Sequence, residues 1–333
     1  MGNTTGIEWT DATWNPIRGC SRVSDGCRNC YAERQAHRFS GAGQPYEGLT
    51  QIVNGHPGWT GKVALAEKHL LDPLKWKPVR TQTETDEMAG CYSTRPRRIF
   101  VNSMSDLFHP NVPDEWIDRI FAVMAMCPQH TFQVLTKRPE RMQAYCTDDS
   151  SIRRVIGAAE LIAFRLGATV EGRVWNNPDG FSGICIPNVH LGVSVENQAA
   201  ADERIPLLLQ TPAVVRFISA EPLLGEVILR WPFVATDPHL DWVIVGGESG
   251  PGARPMHPDW ARGLRDQCVA AGVPFFFKQW GKWRGKLPKE NLGLLAAGAA
   301  CHEWNGGVTS WRVGKKIAGA LLDGREWKEF PRG

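Results

Sequence analysis

The chain reads as an α/β protein, a partial (β/α) barrel of mostly parallel strands with inserted loops. Three observations predict this class. Apolar runs IFV, FQVL, LGV, VIV and FFF recur at 99–101, 132–135, 191–193, 243–245 and 275–277. Such nearly continuous apolar strands are covered on both faces, as the strands of parallel sheets are. Helical patterns separate many of them, and an alternating βαβα order makes a parallel sheet. Finally, each run ends in a polar cluster, and the C-terminal rim of a barrel or open α/β sheet is where ligands bind.

Taken in order, the strand regions are 98–107, 131–139, 189–197, 214–222, 241–249 and 273–281. Helices are expected over 114–126, 139–146, 197–210 and 257–272. Pro258 suits a first helical turn and Gly272 a helix end. Two stretches interrupt the alternation. Residues 40–94 are rich in Gly and Pro, with a helix expected over 65–76, and 150–187 hold an amphipathic helix and then a Gly/Asn/Pro loop at 176–180. The predicted organisation is a barrel over 1–284 and a C-terminal extension over 285–333 that packs on it. That extension looks irregular until a short helix beginning at Gly314 and stopped by Gly324.

Composition narrows the class. An apolar fraction of 42% over 333 residues supports a sizeable core without staples. No apolar run is long enough to span a bilayer, and Met1 to Asp11 is polar, without a secretory pattern. The expected setting is cytoplasmic, with no membrane partner. Nine cysteines, an odd count, then argue against a disulfide framework. A net charge of only +3 excludes wholesale electrostatic attraction to nucleic acid. The cluster Arg95, Arg97 and Arg98 reads as a solvated strand edge. Of 14 tryptophans, Trp9, Trp14, Trp59, Trp280, Trp283 and Trp311 sit beside Gly, Pro or charged residues. Rim packing accounts for them better than base stacking does.

Chemistry concentrates in WNPIRGCSRVSDGCRNCYAER, where Cys20, Cys27 and Cys30 lie within eleven residues. Thiolates select iron–sulfur centres or zinc. Three of them leave one coordination position open, whereas adding His37 from the following helix completes a closed Cys3His zinc site. Spacing alone leaves both open. The other six cysteines are scattered and read as ordinary buried thiols. The strand ends offer Asn102, Ser103, Asp106, Thr136, Lys137, Ser194, Glu196, Asn197, Glu221, Glu248, Lys278 and Gln279.

NPIRGC…GCRNCYAER resembles the cluster loop of radical S-adenosylmethionine (SAM) enzymes, particularly the spore photoproduct lyase branch. Thr136-Lys137 is similar to that branch's Thr-Lys pair, and Ser194 to a cofactor-binding serine. Through GIEWTDATWNP, LTKRPERM, LGVSVENQ, ISAEPLLG, VGGESGPGARPM, FFFKQWG and LDGREWKEFP, nearly the whole chain resembles the phage-associated three-Cys-motif family, a radical-SAM-like group. The resemblance implies a partial barrel of the radical SAM type and a [4Fe–4S] cluster on Cys20, Cys27 and Cys30. SAM is implied as cofactor, with a co-encoded partner protein and a nucleic-acid or nucleotide-derived substrate. Lys137 would then take the SAM carboxylate, Ser194 carboxylate or ribose, Asp106 or Glu248 the amine, and Glu196 and Glu221 ribose or substrate. Asn102 and Ser103 complete the expected SAM set. Three departures stand out. Six residues rather than three separate the first two cysteines, and Asn29 replaces an aromatic before the third. Asn102-Ser-Met-Ser-Asp106 stands where a Gly-Gly-Glu usually follows the second strand; Gly246-Gly247-Glu248 comes several strands later.

Overall fold

A computed structural model describes residues 5–81, 93–169, 183–230, 239–285, 293 and 298–331. Its main element is a seven-stranded sheet. The strands are β1 (Ala12–Trp14), β2 (Arg97–Val101), β3 (His130–Thr136), β4 (Val189–Ser194), β5 (Val215–Ala220), β6 (Trp242–Gly246) and β7 (Phe275–Gln279). They neighbour one another in chain order. The pairs β1/β2, β2/β3, β5/β6 and β6/β7 are parallel. Chain-order parallel strands require crossovers, and helices supply most of them. Helix α1 (Tyr31–His37) follows the cysteine segment, and α2 (Asp114–Ala125) joins β2 to β3. Helices α3 (Pro139–Thr147) and α4 (Ser151–Arg165) precede β4, α5 (Gln198–Leu209) precedes β5 and α6 (Pro258–Ala271) precedes β7. This is the α/β order of a partial barrel.

The chain divides into two compact units, and β4 contributes to both. The first comprises Met1–Ser21, Ala32–Leu191 and Thr211–Val214. Its core is apolar and aromatic: Ile99, Val101, Phe132 and Val134 are fully buried on β2 and β3. The Trp14 indole, 1% exposed, donates to the His69 carbonyl at 2.8 Å and meets the Phe132 ring edge-on at 5.9 Å. Strand β1 is three residues long, too short for a hydrophobic period to announce it. Asp11 secures it instead. Its carboxylate accepts two hydrogen bonds from the Arg95 guanidinium at 2.8 Å and one from the Arg98 N–H at 2.8 Å. Two arginines of the basic cluster thus serve the sheet. The helix expected over 65–76 is broken into Glu67–Leu70 and a 3-10 turn, Asp72–Lys75, because Pro73 cannot continue the α-helical hydrogen bonding.

The second unit comprises Arg22–Tyr31, Gly192–Gln210 and Val215–Gly333. Val243, Ile244, Val245, Phe275 and Phe277 are fully buried. The chain's end covers β7. The Phe277 N–H donates to the Trp327 carbonyl at 2.9 Å, and the Phe275 N–H to the Glu329 carboxylate at 3.0 Å. These donors would otherwise form an open sheet edge. Helix α6 has the expected ends: His257 caps it by accepting from the Asp259 N–H, and Gly272 is left-handed at φ +69. The tail departs from expectation. Trp283–Arg284, Thr309–Arg312 and Cys301–Glu303 form a small antiparallel sheet. The last helix, Lys315–Ala318, stops at Gly319 (φ +68) rather than Gly324. The loop at 176–180 and Cys91 lie outside the described residues. Among the described residues no helix is long and apolar enough to cross a membrane.

Burial alone would raise the Asp11 pKa, but Arg95 and Arg98 win and hold it at about 2. A depressed carboxylate stabilises the fold above its ordinary value of 3.8 and loses that contribution as pH falls toward 2. Urea titrations should show about 1.5 kcal/mol disappearing across this window. In Asp11→Asn a similar amount should be missing at pH 7 and the dependence flattened; an unchanged slope would refute the assignment.

Candidate functional site

Every expected rim residue lies at or just beyond the C-terminal end of its strand. In the first unit, the turn after β2 holds the run leading to Cys20. Asn102, left-handed at φ +58 and 2% exposed, donates its N–H to the Trp14 carbonyl at 2.7 Å. Its Oδ1 accepts from the Ile17 N–H at 3.2 Å, while its buried Nδ2 has no partner among the described residues. Asn15 Oδ1 accepts from the Ser103 hydroxyl at 3.2 Å and the Met104 N–H at 3.0 Å. The Ser105 hydroxyl donates to the Ile17 carbonyl at 2.8 Å. Gly19 then turns the chain at φ +86, where a side chain would collide with the Lys62 carbonyl. Asn102 therefore holds backbone, and Ser103 holds the Asn15 side chain.

Beyond this turn Asp106, 5% exposed, gathers four donors. Oδ1 accepts from the Thr136 hydroxyl at 2.7 Å and the Phe108 N–H at 3.0 Å; Oδ2 accepts from Arg138 Nη1 at 2.7 Å and the Lys137 N–H at 3.3 Å. The Thr136 oxygen also accepts from the Arg138 N–H at 2.9 Å. Arg138 Nη2 donates to the Ser21 carbonyl at 3.0 Å and its hydroxyl at 2.9 Å, and Nη1 lies 3.9 Å from Cys20 Sγ. Burial opposes the Arg138 charge, yet Asp106 and Cys20 raise its pKa. Nearby His109 accepts the Asn111 N–H on Nδ1, leaving Nε2 to donate to the Ser21 hydroxyl at 2.9 Å. Burial and the Arg138 charge lower its pKa to about 4, so it is neutral at pH 7. The half-buried Lys137 ammonium makes no hydrogen bond or ion pair among the described residues.

In the second unit, Asp25–Cys27 form a 3-10 turn, and the Cys30 N–H donates to the Cys27 carbonyl at 3.2 Å. Gly26 faces Glu196: a Cβ there would stand 3.2 Å from its carboxyl carbon. Glu196 and Arg204 are each 2% exposed and paired at 2.9 Å, and Arg204 also donates to the Ser194 carbonyl at 2.8 Å. Gly26 thus meets a steric demand from the Glu196 carboxyl group. Asn29 Nδ2 donates to Glu248 Oε2 and to the Gly252 carbonyl, both at 2.9 Å. Arg254 donates to Glu248 Oε1 from Nη2 at 2.7 Å and to Oε2 from its N–H and Nε at 2.8 and 2.9 Å. Its Nη2 also reaches the Asp25 carbonyl at 3.0 Å. Burial would raise the Glu248 pKa, but Arg254 and Asn29 bring it below the ordinary value. The two glycines before Glu248 serve packing, since a Cβ on Gly247 would strike the Trp280 carbonyl. Glu221 accepts from Lys278 Nζ on both oxygens at 2.8 Å and from Gln279 Nε2 at 3.3 Å.

The described thiols fall into three groups, and Cys301, on the small tail sheet, is exposed, against the expectation that all six scattered thiols are buried. Cys127, Cys146, Cys185 and Cys268 are buried, and burial pushes Cys127 and Cys268 up to about 12 and Cys146 higher still. Cys20, Cys27 and Cys30 are half-buried and outside any disulfide. In donor type, number and access the trio fits an iron–sulfur or zinc centre. Among the described residues, however, no three Cys, His, Asp or Glu side chains are gathered as a ready metal site. His37, the expected fourth zinc ligand, uses Nδ1 on the Thr50 hydroxyl at 3.0 Å and that of Ser40 at 3.3 Å.

Residues 4–331 match the family model described as Protein of unknown function (DUF5131). The chain belongs to the DUF5131 family. Neither a curated protein nor a solved structure matches it.

Sequence reasoning about this DUF5131 chain named Asp106, Glu196 and Glu248 but missed their partners, Arg138 for the first, Arg204 for the second, and Arg254 and Asn29 for the third. The only local signal was a second cation beside Lys137 and an arginine after a glycine-rich loop. Of the tryptophans expected at the rim, four have packing or backbone partners. Trp9, Trp14 and Trp280 are buried, and the Trp280 and Trp283 indoles donate to the Leu321 and Ala253 carbonyls at 2.8 and 2.6 Å. Glu248→Gln should cost about 2 kcal/mol and Asn29→Ala about 1, from charge-assisted and neutral hydrogen bonds respectively. Both should speed proteolytic nicking between Arg22 and Tyr31. Wild-type cleavage rates at equal temperature would show that the clasp does not hold this segment.

Proposed function

We propose that this protein is a radical SAM enzyme: Cys20, Cys27 and Cys30 hold a [4Fe–4S] cluster, and the partial barrel is of the radical SAM type. The observation that carries the reading is that three half-buried thiols share one eleven-residue segment, while Cys127, Cys146, Cys185 and Cys268 are sealed and the exposed Cys301 lies far along the chain on the tail sheet. Metal affinity would draw the trio together, since binding energy also orders the site. When bound, such a cluster supplies the electron that splits the sulfonium carbon–sulfur bond of SAM, and hydrogen abstraction from substrate follows.

The chain's own residues bind and orient. Lys137, its ammonium unspent within the described residues, is the group for the SAM carboxylate. Ser194 keeps its assignment to the SAM carboxylate or ribose. Asp106, Glu196, Glu221 and Glu248 already face the chain's own cations, so we give them the task of holding the strand ends and the cysteine segment. A nucleic-acid or nucleotide-derived substrate, a co-encoded partner and a reducing, cytoplasmic setting complete the proposal. The substrate and partner rest on the motif resemblance.

Anaerobically purified protein should be brown and hold iron and acid-labile sulfide in equal amounts. Reduced in the presence of SAM, it should release 5′-deoxyadenosine. Lys137→Ala should raise the SAM concentration needed by tenfold or more without reducing iron content. Colourless protein with one zinc per chain overturns the reading in favour of a non-catalytic zinc scaffold. S-adenosylhomocysteine as the product points to methyl transfer instead.

A further inference from the structure

We infer that Arg138 is a positioning residue for Cys20 that also tunes the cluster which that cysteine would ligate; the inference rests on the cluster reading above. Four atoms surround its guanidinium: Asp106 Oδ2 at 2.7 Å, the Ser21 carbonyl at 3.0 Å, the Ser21 hydroxyl at 2.9 Å and Cys20 Sγ at 3.9 Å. The side chain is only 11% exposed and its partner Asp106 8%. One planar fork thus grips a carboxylate rooted in the strand ends and both polar groups of the residue after Cys20. An ammonium, being a compact point charge, cannot span that set.

The anchor is itself immobile. Asp106 is tied to Thr136, to the Phe108 N–H and to the Lys137 N–H, so Arg138 cannot follow a moving loop. His109 adds a second tie to the Ser21 hydroxyl at 2.9 Å. Cys20 is thereby fixed relative to β2 and β3 before any metal arrives. Once the cysteine is a ligand, the nearby N–H and positive charge draw electron density from its sulfur. Hydrogen bonds and charge at cluster sulfurs raise the reduction potential. Arg138 therefore makes the centre easier to reduce than a bare thiolate would.

Iron and sulfide per chain, the midpoint potential from an EPR-monitored titration, and the thermal midpoint are compared in wild type, Arg138→Lys and Arg138→Gln. Both variants should retain several-fold less cluster and titrate at a more negative potential, Arg138→Gln the lower of the two. Arg138→Lys separates geometry from charge, because it keeps the positive charge and loses the fork. Where Arg138→Gln unfolds from leaving Asp106 unpaired, the double variant Asp106→Asn/Arg138→Gln removes both charges and should fold, with the same loss. Folded variants with wild-type iron and potential overturn the inference and leave the cluster reading standing. A wild-type chain that takes up no iron and sulfide overturns both.

Discussion

The ion pair between Asp106 and Arg138 carries more of the candidate site than any other contact. Both groups are nearly buried, and removing two charges from water is worthwhile only when the remaining lone pairs and N–H groups are also satisfied. Here they are. The carboxylate takes four donors, and the guanidinium spends itself on Ser21 and Cys20 as well. Loss of either partner would strand the other, so the end of β3, the turn after β2 and the residue after Cys20 move as one piece. The second unit repeats the device with other residues. Glu248 and Arg254 grip Asn29 and the Asp25 carbonyl, so the other end of the cysteine segment is tied to the loop after β6.

This pattern changes the meaning of an acid at a strand end. In a sequence, such an acid is a candidate for binding a cofactor amine or a sugar hydroxyl. Asp106, Glu196, Glu221 and Glu248 each face an arginine or lysine of the same chain. A carboxylate saturated by internal cations holds geometry. It has little capacity left for a ligand unless an existing contact breaks. Glu196 illustrates the point: paired with a fully buried arginine, it also presses on Gly26, where any larger side chain would need its carboxyl group to move.

The parts of the fold that were legible are those with strong local patterns. Strands β2 to β7 are apolar runs bounded by polar residues, and α6 has its capping signals in place. Strand β1 was not legible, because three residues show no period and its support comes from Asp11 and arginines on the neighbouring strand. The tail sheet was missed for a related reason: Trp283 pairs with Arg312, a contact set by distant sequence. The site follows the same rule. Its strand-end positions could be read off the chain, but its partnerships could not: Asp106 and Arg138 lie 32 residues apart, and Asn29 and Glu248 lie 219 apart. Asn29, a departure from a resembling motif in sequence, is one of the groups that clasp the loop.

Two adjacent cations close β3, and the contrast between them is the strongest internal argument for a ligand. Arg138 spends Nη1 on Asp106 and Nη2 on Ser21. Lys137, one residue earlier and half-buried, offers only its backbone N–H to the chain, and its ammonium is unmatched among the described residues. A solvated surface lysine needs no partner, but a partly desolvated one gains from an anion brought to it. Asp106 does not serve, because Arg138 already neutralises it. The chain thus supplies one cation that builds the site and one whose ammonium is unmatched within the described residues, and exchanging the two side chains would lose the fork at 138, since lysine lacks it, while arginine at 137 would compete for Asp106.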